Sequence, residues 1–319
     1  MKLARYEHNG AVLLGTVRHD MVRSLPRNLD VLDVLTMSLP ERNLLEAQAG
    51  RHHRIPLDDV RFVPPIEPRA MRDFVVFEEH VRGVTQSVAG TAEIAEAWYD
   101  APAFIFMNPH SLISHRQDVP MPPDTQALDF ELEVAAVVGS KVRDLTVDQA
   151  AEHIVGYAVF NDWSARDIQR REMQVSLGPA KGKDFASTLG PWITTPDELE
   201  PYRVGDRYNL TMTVSVNDTE IGRDSLANMA WSFEEMLSHA SRDAWVGAGD
   251  VLATGTCAGG ALAEMWGRRG VMEPPPLQVG DVVTMAVDGL GSISNRVTQT
   301  RSPGHRVPPA RSPAAGPVG

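Results

Sequence analysis

The sequence predicts an α+β protein in which strands outnumber helices. Short apolar runs separated by turn residues recur from Arg72 onward, among them AFIFM, ELEVAAVVG, HIVGYAVFND, YNLTMTVSVND and DVLATGT. Helical segments are fewer, and they are expected over 146–154, 164–174 and 232–240. No glycine-rich nucleotide loop joins a strand to a helix in the sequence, which argues against a doubly wound parallel sheet.

The chain of 319 residues divides into three predicted parts. Residues 1–65 form a small N-terminal region that ends in RFVPPIEP, whose prolines interrupt helices and central strands. Residues 66–300 contain the strand-rich main domain. Residues 301–319 are rich in Pro, Ser and Gly, and this composition predicts a disordered tail.

Composition excludes several classes of function. A formal net charge of −12 disfavours nucleic-acid binding, and any anionic ligand would need a local cluster of positive side chains. The single cysteine, Cys257, excludes an intrachain disulfide framework and a cysteine zinc cluster. We expect no membrane segment and a cytoplasmic location, because the sequence has neither a bilayer-length apolar run nor a secretion-signal pattern at its start.

Two glutamates interrupt an otherwise apolar strand in the stretch ALDFELEVAAVVG. Side chains alternate across a strand, so Glu131 and Glu133 share one face with Ala135 and Val137. Two carboxylates on a strand that enters the core need positive compensation, and a divalent cation with a preference for oxygen ligands supplies it. A solvated strand end is the alternative that this pattern alone leaves open.

A third acidic residue, Asp162, follows the apolar run 155–160. Ser164 and Asp167 then match the S-x-x-D capping pattern, which predicts that a helix begins at Ala165. Asp162 would lie between the end of a strand and the start of a helix, where oxygen ligands are often presented. A turn or capping role is the alternative.

Positive and polar residues cluster just downstream. Arg166, Gln169 and Arg170 share one helix face, where an arginine fork and an amide could bind a carboxylate or carbonyl group of a substrate. Lys181 and Lys183 follow in the glycine-rich stretch LGPAKGKDF, whose backbone can approach a ligand closely. A solvated helix face and a surface loop are the alternatives.

The segment RDFVVFEEHVRGV contains a candidate general base. Histidine is the natural general base near neutral pH, and a carboxylate adjacent to His80, such as Glu79, could orient it. An ordinary surface histidine is the alternative for this segment taken alone.

Together these segments, in this order, resemble the fumarylacetoacetate hydrolase family. The stretch DFELEV resembles its paired-glutamate strand, and NDWSARDIQ followed by LGPAKGKDF and LGPW resembles its most recognisable region. The similarity runs from about Arg72 to Val297. It implies a mixed β-roll or barrel-like domain, commonly a homodimer, that binds Mg²⁺, with Mn²⁺ or Ca²⁺ as alternatives.

The resemblance also implies roles for individual residues. Glu131, Glu133 and Asp162 correspond to metal ligands, and Asp73 to a further ligand or a neighbouring acid. His80 corresponds to the catalytic histidine of the fumarylacetoacetate-cleaving members. The positions that contact substrate or close the site correspond to Arg166, Gln169, Lys183 and Thr256.

The partner of His80 departs from part of the family. Members that cleave acylpyruvates have a glutamate three residues after the histidine, where this chain has Gly83. Members that cleave fumarylacetoacetate take the acid from a late segment, where Glu264 in GGALAEMWG is the candidate. Either Glu264 or the neighbouring Glu79 could orient His80, and the sequence leaves both open.

The predicted activity is metal-dependent hydrolysis of a carbon–carbon bond in a 1,3-diketo acid of the acylpyruvate or fumarylacetoacetate kind. The small keto acid is the expected partner, with Lys183 among the catalytic groups. Decarboxylation, isomerisation or hydration of a related 2-oxo acid through the same metal chemistry is the second hypothesis. A non-catalytic binding or assembly subunit is the third.

Overall fold

The computed structural model describes residues 1–49, 54–89, 93–300 and 307–311. Its strands are β1 (Lys2–His8), β2 (Ala11–Arg18), β3 (Met21–Ser24), β4 (Arg54–Pro56), β5 (Arg61–Phe62), β6 (Met71–Phe74), β7 (Phe104–Met107), β8 (Leu112–Ile113), β9 (Val119–Met121), β10 (Leu128–Asp129), β11 (Leu132–Val138), β12 (Ile154–Asp162), β13 (Ser164–Ala165), β14 (Ser187–Thr194), β15 (Arg203–Val204), β16 (Arg207–Tyr208), β17 (Thr211–Val216), β18 (Thr219–Ser225), β19 (Val251–Ala253), β20 (Val282–Val287) and β21 (Gly291–Gln299). The α-helices are α1 (Val31–Leu35), α2 (Leu39–Ala49), α3 (Glu78–Ala89), α4 (Val147–Ala150), α5 (Arg166–Met173), α6 (Pro196–Leu199), α7 (Phe233–Ser241) and α8 (Leu262–Arg269).

A large mixed sheet organises the fold. Its strands follow the order β4-β3-β2-β1-β14-β12-β11-β19-β6-β7, with β5 paired to β1 and β8 paired to β14. A second sheet of five strands has the order β18-β17-β20-β21-β9. These mixed sheets and their helices confirm the α+β prediction, although the described strands do not form a closed barrel.

Strands of the N-terminal region belong to the same large sheet as the rest of the chain. Strand β1 pairs antiparallel with β14, with Leu3 opposite Ile193. The helices α1 and α2 cover one face of this sheet, where Val34 and Leu35 pack in the same core as Ala135 and other residues of the central strands.

The two faces of β11 enter two different cores, as the alternation in the sequence predicted. Leu132, Val134 and Ala136 pack into the core shared with the five-stranded sheet and α7. Ala135 and Val137 pack on the side of the N-terminal helices. Both faces of this strand are therefore sealed from water, and a carboxylate at its start enters a dry environment.

Most of the local predictions agree with the structure. Ser232 caps α7 through a capping box with Glu235, within the segment predicted to be helical. The pair Asn217–Asp218 forms the two-residue turn between β17 and β18, with left-handed φ angles of 49° and 64°. Such angles at both positions give the backbone twist that a tight hairpin requires.

The predicted capping box at the start of α5 was wrong. Ser164 lies in β13, and helix α5 begins at Arg166 rather than at Ala165. The Asp167 carboxylate instead accepts hydrogen bonds from Thr125 Oγ1 at 2.6 Å and from the Gln126 N–H at 2.8 Å. A contact with a distant loop thus replaces the local cap, which a short sequence pattern cannot foresee.

The structure covers only part of the predicted C-terminal tail. Most of the tail predicted over 301–319 lies outside the described residues, and the five that are described, 307–311, are exposed and have no regular secondary structure. Within the described ranges, every helix is too short or too polar to cross a bilayer.

Candidate active site

Four neighbouring strands of the large sheet bring the predicted carboxylates together. Strand β11 lies between β12 and β19, and β19 pairs with β6. Asp162 ends β12, Glu131 immediately precedes β11 and Glu133 is its second residue, and Asp73 lies in β6 opposite Ala253. Residues far apart in sequence therefore converge at one end of these strands.

Three of these carboxylates form a compact group. One oxygen from each of Asp73, Glu131 and Glu133 lies within 4.8 Å of the other two, and all three side chains are buried. Asp162 is also fully buried and lies beside them, joined through the Lys183 ammonium, which hydrogen-bonds both Glu131 Oε2 and Asp162 Oδ2. The four predicted metal-ligand positions are therefore in one place.

Several oxygens of this group have no protein partner. Asp73 Oδ1, Glu133 Oε1 and Asp162 Oδ1 are buried and accept no hydrogen bond. Buried polar atoms are nearly always satisfied, so three orphaned carboxylate oxygens in one cluster call for a ligand. A donor set made only of carboxylate oxygens fits a hard divalent cation such as Mg²⁺, Mn²⁺ or Ca²⁺.

Burial and mutual repulsion disturb the protonation of these acids. Burial, only partly offset by Lys183, raises the pKa of Asp73 to about 7. Burial together with the neighbouring carboxylates raises the pKa of Glu133 well above its usual value. The pKa of Asp162 is raised in the same way, mainly by burial. A bound cation would stabilise the ionised forms and release these protons.

Glu131 behaves in the opposite way because it has two cationic neighbours. Burial acts to raise its pKa, but the charges of Lys183 and Arg166 outweigh burial and lower the pKa below the usual range. Those neighbours hold Glu131 as an anion at any physiological pH. Lys183 itself is buried, and the carboxylates around it raise its pKa, so it stays charged.

The Arg166 side chain is committed to protein contacts. Its Nη2 lies 2.8 Å from Glu131 Oε1 and 2.8 Å from Asp129 Oδ2, and its Nε donates to Asp129 Oδ2 at 2.8 Å. Its Nη1 donates to Gln169 Oε1 at 3.1 Å. An arginine has five N–H donors, so these contacts leave little of the guanidinium for a substrate carboxylate. Arg166 therefore orients Glu131. Gln169, by contrast, is half-buried, so part of its side chain is accessible.

The structure distinguishes between the two candidate partners of His80. His80, in the first turn of α3, is 5% exposed, and its Nδ1 lies 3.3 Å from Glu264 Oε2 on helix α8. Glu79 has a side chain that is 59% exposed, and it lies 3.4 Å from Arg268. The contact with the His80 ring thus belongs to Glu264, and Glu79 faces solvent.

Two further groups fix the Glu264 carboxylate. Arg268, one turn later on α8, lies 2.7 Å from Glu264 Oε1. The Gly259 N–H donates to Glu264 Oε2 at 2.7 Å. With its charge compensated and its position held, Glu264 can orient the His80 imidazole.

The loop after β19 closes the other side of the cluster. The Gly255 N–H donates to Glu133 Oε2 at 3.1 Å, and Thr256 is buried beside it. Gly255 has a φ of +78°, and a Cβ there would lie 2.2 Å from the Phe74 carbonyl oxygen. Only glycine allows this close approach, which aims the loop at the carboxylates.

Asp129, Arg268 and the Gly255 N–H are elements of the site that the sequence analysis did not select. Asp129 stands two residues before Glu131 in the stretch DFELEV, and this spacing would place it on the same strand face as the two glutamates. Arg268 lies four residues after Glu264, the spacing at which helical side chains meet. A backbone donor such as Gly255 N–H leaves no signature in side-chain chemistry.

We expect Gly83→Ala to reduce activity by about tenfold to a hundredfold while leaving metal affinity unchanged. A Cβ at position 83 would lie 2.3 Å from Glu264 Cγ, so either Glu264 or helix α3 must shift, which disturbs the contact between Glu264 and His80. Steady-state kinetics and calorimetric titration with Mg²⁺ measure the two effects. Wild-type kinetics in this variant would show that the close approach of α3 and α8 is unimportant for the site.

We expect the protein in EDTA to lose stability as the pH rises from about 5 to about 8. The raised pKa values of Asp73, Glu133 and Asp162 mean that the folded state binds more protons than the unfolded chain above about pH 4. The stability that these groups contribute is fully present below that pH and is lost as the pH rises through about 7. Denaturant unfolding at several pH values measures the slope, which saturating Mg²⁺ should flatten or reverse. A flat profile in EDTA would contradict the expectation.

Comparison with known proteins identifies the family. The model of the fumarylacetoacetate (FAA) hydrolase C-terminal domain matches residues 69–298, which is more than half of the chain. The chain belongs to the fumarylacetoacetate hydrolase family. The resemblance stated from the sequence is thereby confirmed.

Individual relatives differ in their activities. The chain is 27% identical over 243 residues to an oxaloacetate tautomerase of Bacillus subtilis, covering 76% of this chain and 74% of that protein. It is 32% identical over 189 residues to a mitochondrial oxaloacetate tautomerase of Xenopus laevis, covering 59% of this chain and 55% of the relative. The matched region spans about half the length of some curated relatives, such as 45% of the Arabidopsis thaliana fumarylacetoacetase.

A solved structure of a related protein has the same fold. The fumarylacetoacetate hydrolase from psychrophilic Exiguobacterium antarcticum superposes with a TM-score of 0.72 at 26% identity, covering 94% of this chain and all of that one. Hydrolases and tautomerases therefore both occur among the proteins that this chain resembles.

Proposed function

We propose that the protein is a metal-dependent hydrolase that cleaves a carbon–carbon bond in a 1,3-diketo acid of the acylpyruvate or fumarylacetoacetate kind. One observation carries the proposal: a buried His80–Glu264 pair lies near the carboxylate cluster, close enough for His80 to act electrostatically on Glu131. A metal site alone can polarise a 2-oxo acid. A histidine paired with a buried acid adds the base that water attack requires.

His80 is the proposed base. With Glu264 accepting a hydrogen bond from the Nδ1–H, the Nε2 lone pair can take a proton from water, and the water oxygen then attacks the carbonyl carbon remote from the substrate carboxylate. His80 then carries the proton, and the Glu264 anion stabilises the imidazolium. As the carbon–carbon bond breaks, the same Nε2–H can return a proton to the departing carbon.

The cation would be held by Asp73, Glu131 and Glu133, with Asp162 beside them. When bound, a divalent ion supplies Lewis-acid stabilisation of the negative charge that develops on the substrate oxygens. Arg166 keeps Glu131 ionised and correctly turned. Lys183 offers an ammonium for the substrate carboxylate or developing oxyanion, with Gln169 and Thr256 proposed as further substrate contacts.

Oxaloacetate tautomerisation is the second candidate. Its support is the similarity to the Bacillus subtilis oxaloacetate tautomerase over about three quarters of both chains. The same His80 could move a proton between carbon and solvent without attack by water. The two reactions share the cation and the enol chemistry, and they differ in whether water enters the product.

The decisive experiment is a panel assay with the metal-loaded protein. Acylpyruvates, fumarylacetoacetate and oxaloacetate enol are supplied in turn with Mg²⁺ or Mn²⁺, the enol absorbance is followed, and products are identified by mass. Hydrolysis gives two acids and takes up ¹⁸O from labelled water into the acid derived from the attacked carbonyl. Loss of oxaloacetate enol without a change in mass supports tautomerisation instead.

One outcome of the panel assay would contradict both proposed reactions. A protein that binds the cation but changes none of these compounds would be a binder or an assembly subunit rather than this enzyme. The homodimer expected from the resemblance stays a prediction, and light scattering of the purified chain measures it.

A further inference from the structure

Asp129 is fully buried next to the candidate active site, and five groups approach its carboxylate. Oδ1 accepts hydrogen bonds from the Phe130 N–H at 2.7 Å and the Leu262 N–H at 2.8 Å. Oδ2 accepts from the Ala263 N–H at 3.0 Å and from Arg166 Nε at 2.8 Å, with Arg166 Nη2 also at 2.8 Å. All of these partners are donors, so the side chain is bound as an acceptor at both oxygens.

One set of these contacts replaces the missing cap of helix α8. The N-cap residue, Ala261, has the extended backbone of a cap position but makes no side-chain capping bond. The first N–H groups of a helix need an acceptor, and Asp129 supplies it to Leu262 and Ala263 from more than 130 residues away in the sequence. Glu264, the partner of His80, is the next residue on that helix.

The other set of contacts leads to the carboxylate cluster. Arg166 uses one part of its guanidinium on Asp129 and another on Glu131 Oε1 at 2.8 Å. Asp129 therefore fixes the position of the arginine that in turn orients Glu131. A planar guanidinium between two carboxylates transmits this orientation rigidly.

We propose that Asp129 is a positioning residue that sets the carboxylate cluster and the His80–Glu264 pair in register with each other, through Arg166 on one side and the start of α8 on the other. This inference rests on the proposed function for its catalytic arm. It assigns to one buried aspartate the task of keeping the base and the cation at a fixed separation. Asp129 is not among the carboxylates that converge on the candidate cation site.

The first test is Asp129→Asn, which keeps the shape but puts an amide donor against N–H groups. We expect Mn²⁺ affinity, measured by calorimetry, to fall about 10- to 100-fold, and kcat at saturating Mn²⁺ to remain reduced. Asp250→Asn is the matched control, because Asp250 is also buried and accepts from an arginine, Arg72, and a backbone N–H. The control should lose stability but keep both Mn²⁺ affinity and kcat.

Two combinations separate positioning from simple loss of charge. If Asp129 acts on the cluster through Arg166, then Asp129→Asn should weaken Mn²⁺ binding little further in an Arg166→Met background. Adding Ala261→Ser to Asp129→Asn gives α8 a local cap, and this should recover kcat without recovering Mn²⁺ affinity. Additive loss of affinity, or no recovery of kcat, would overturn the corresponding arm of the proposal.

The experiment also keeps this inference separate from the proposed function. Mn²⁺ affinity needs no turnover, so a wild-type protein that binds Mn²⁺ but is inactive on the panel defeats the proposed function and still tests the Arg166 arm. If the wild type is active and Asp129→Asn has the same Mn²⁺ affinity and kcat, the inference is wrong and the proposed function stands. If Asp129→Asn does not fold, Arg166→Met tests the same link from its other end, and wild-type Mn²⁺ affinity there overturns it.

Discussion

Replacing Glu131 and Glu133 together by glutamine is expected to weaken divalent-cation binding by at least about 100-fold. Each change removes a negative charge and one of two ligand oxygens from a buried cluster whose other member is Asp73. Glutamine has nearly the same shape, so the loss measures charge and ligand chemistry rather than packing. Calorimetric titration with Mg²⁺, Mn²⁺ and Ca²⁺ gives the affinities, and retained affinity would show that the cation site lies elsewhere.

The single variants Glu131→Gln and Glu133→Gln should differ in their free energy of unfolding, and this difference provides an internal control. Glu133 is strained by burial and by its acidic neighbours, which raise its pKa, so Glu133→Gln should leave the unfolding free energy in EDTA unchanged or higher near pH 8. Glu131 is the partner of Lys183 and Arg166, so Glu131→Gln leaves two buried cations short of an anion and should be destabilising. Glu220→Gln, an exposed change far from the cluster in sequence, controls for the substitution itself.

The sequence was enough to predict that the two glutamates share one face of a strand, but not which groups surround them. Strand alternation was enough to put Glu131 and Glu133 on one side, and the structure agrees because β11 pairs with β12 in regular register over 132–137 and is buried on both faces. The contacts that decide their protonation come from Lys183 and Asp73, which are tens of residues away. Such pairings depend on the order of strands in the sheet, which local patterns do not specify.

The same limit explains the residues that local patterns misplaced or missed. Asp167 fits a capping pattern, yet a distant loop offers better donors and the helix begins one residue later. Arg166 lies on the predicted helix face, but its guanidinium turns inward because Asp129 is buried opposite it. In each case a long-range contact prevails over a local preference.

The choice between Glu79 and Glu264 needed the fold for a geometrical reason. Neighbouring residues on a helix point about 100° apart, so Glu79, although adjacent to His80 in the sequence, cannot face the same side. Glu264 reaches His80 only because α3 and α8 pack together, with Gly83 leaving room for its side chain. A side chain at position 83 would occupy the space that Glu264 needs, so the glycine at 83 and the contact between Glu264 and His80 depend on each other.

His80→Ala is expected to lower kcat for hydrolysis by about 10² to 10⁴-fold with cation affinity nearly unchanged. Glu264→Gln should give a large part of the same loss, and the double variant should be little worse than His80→Ala because the two side chains act as a unit. Glu79→Gln is the matched control. It lies beside His80 in sequence but faces solvent, so its activity should remain near that of the wild type.

The same variant separates activation of water from formation of the enol. Hydrolysis needs a base for water, whereas the cation alone can promote exchange of protons next to a polarised carbonyl. If His80→Ala loses carbon–carbon cleavage but still exchanges deuterium into a 2-oxo acid, water activation belongs to His80 and enol formation to the carboxylate cluster. If instead cleavage survives the loss of His80 at a kcat near that of the wild type, another group activates the water, and the role proposed for the His80–Glu264 pair is wrong.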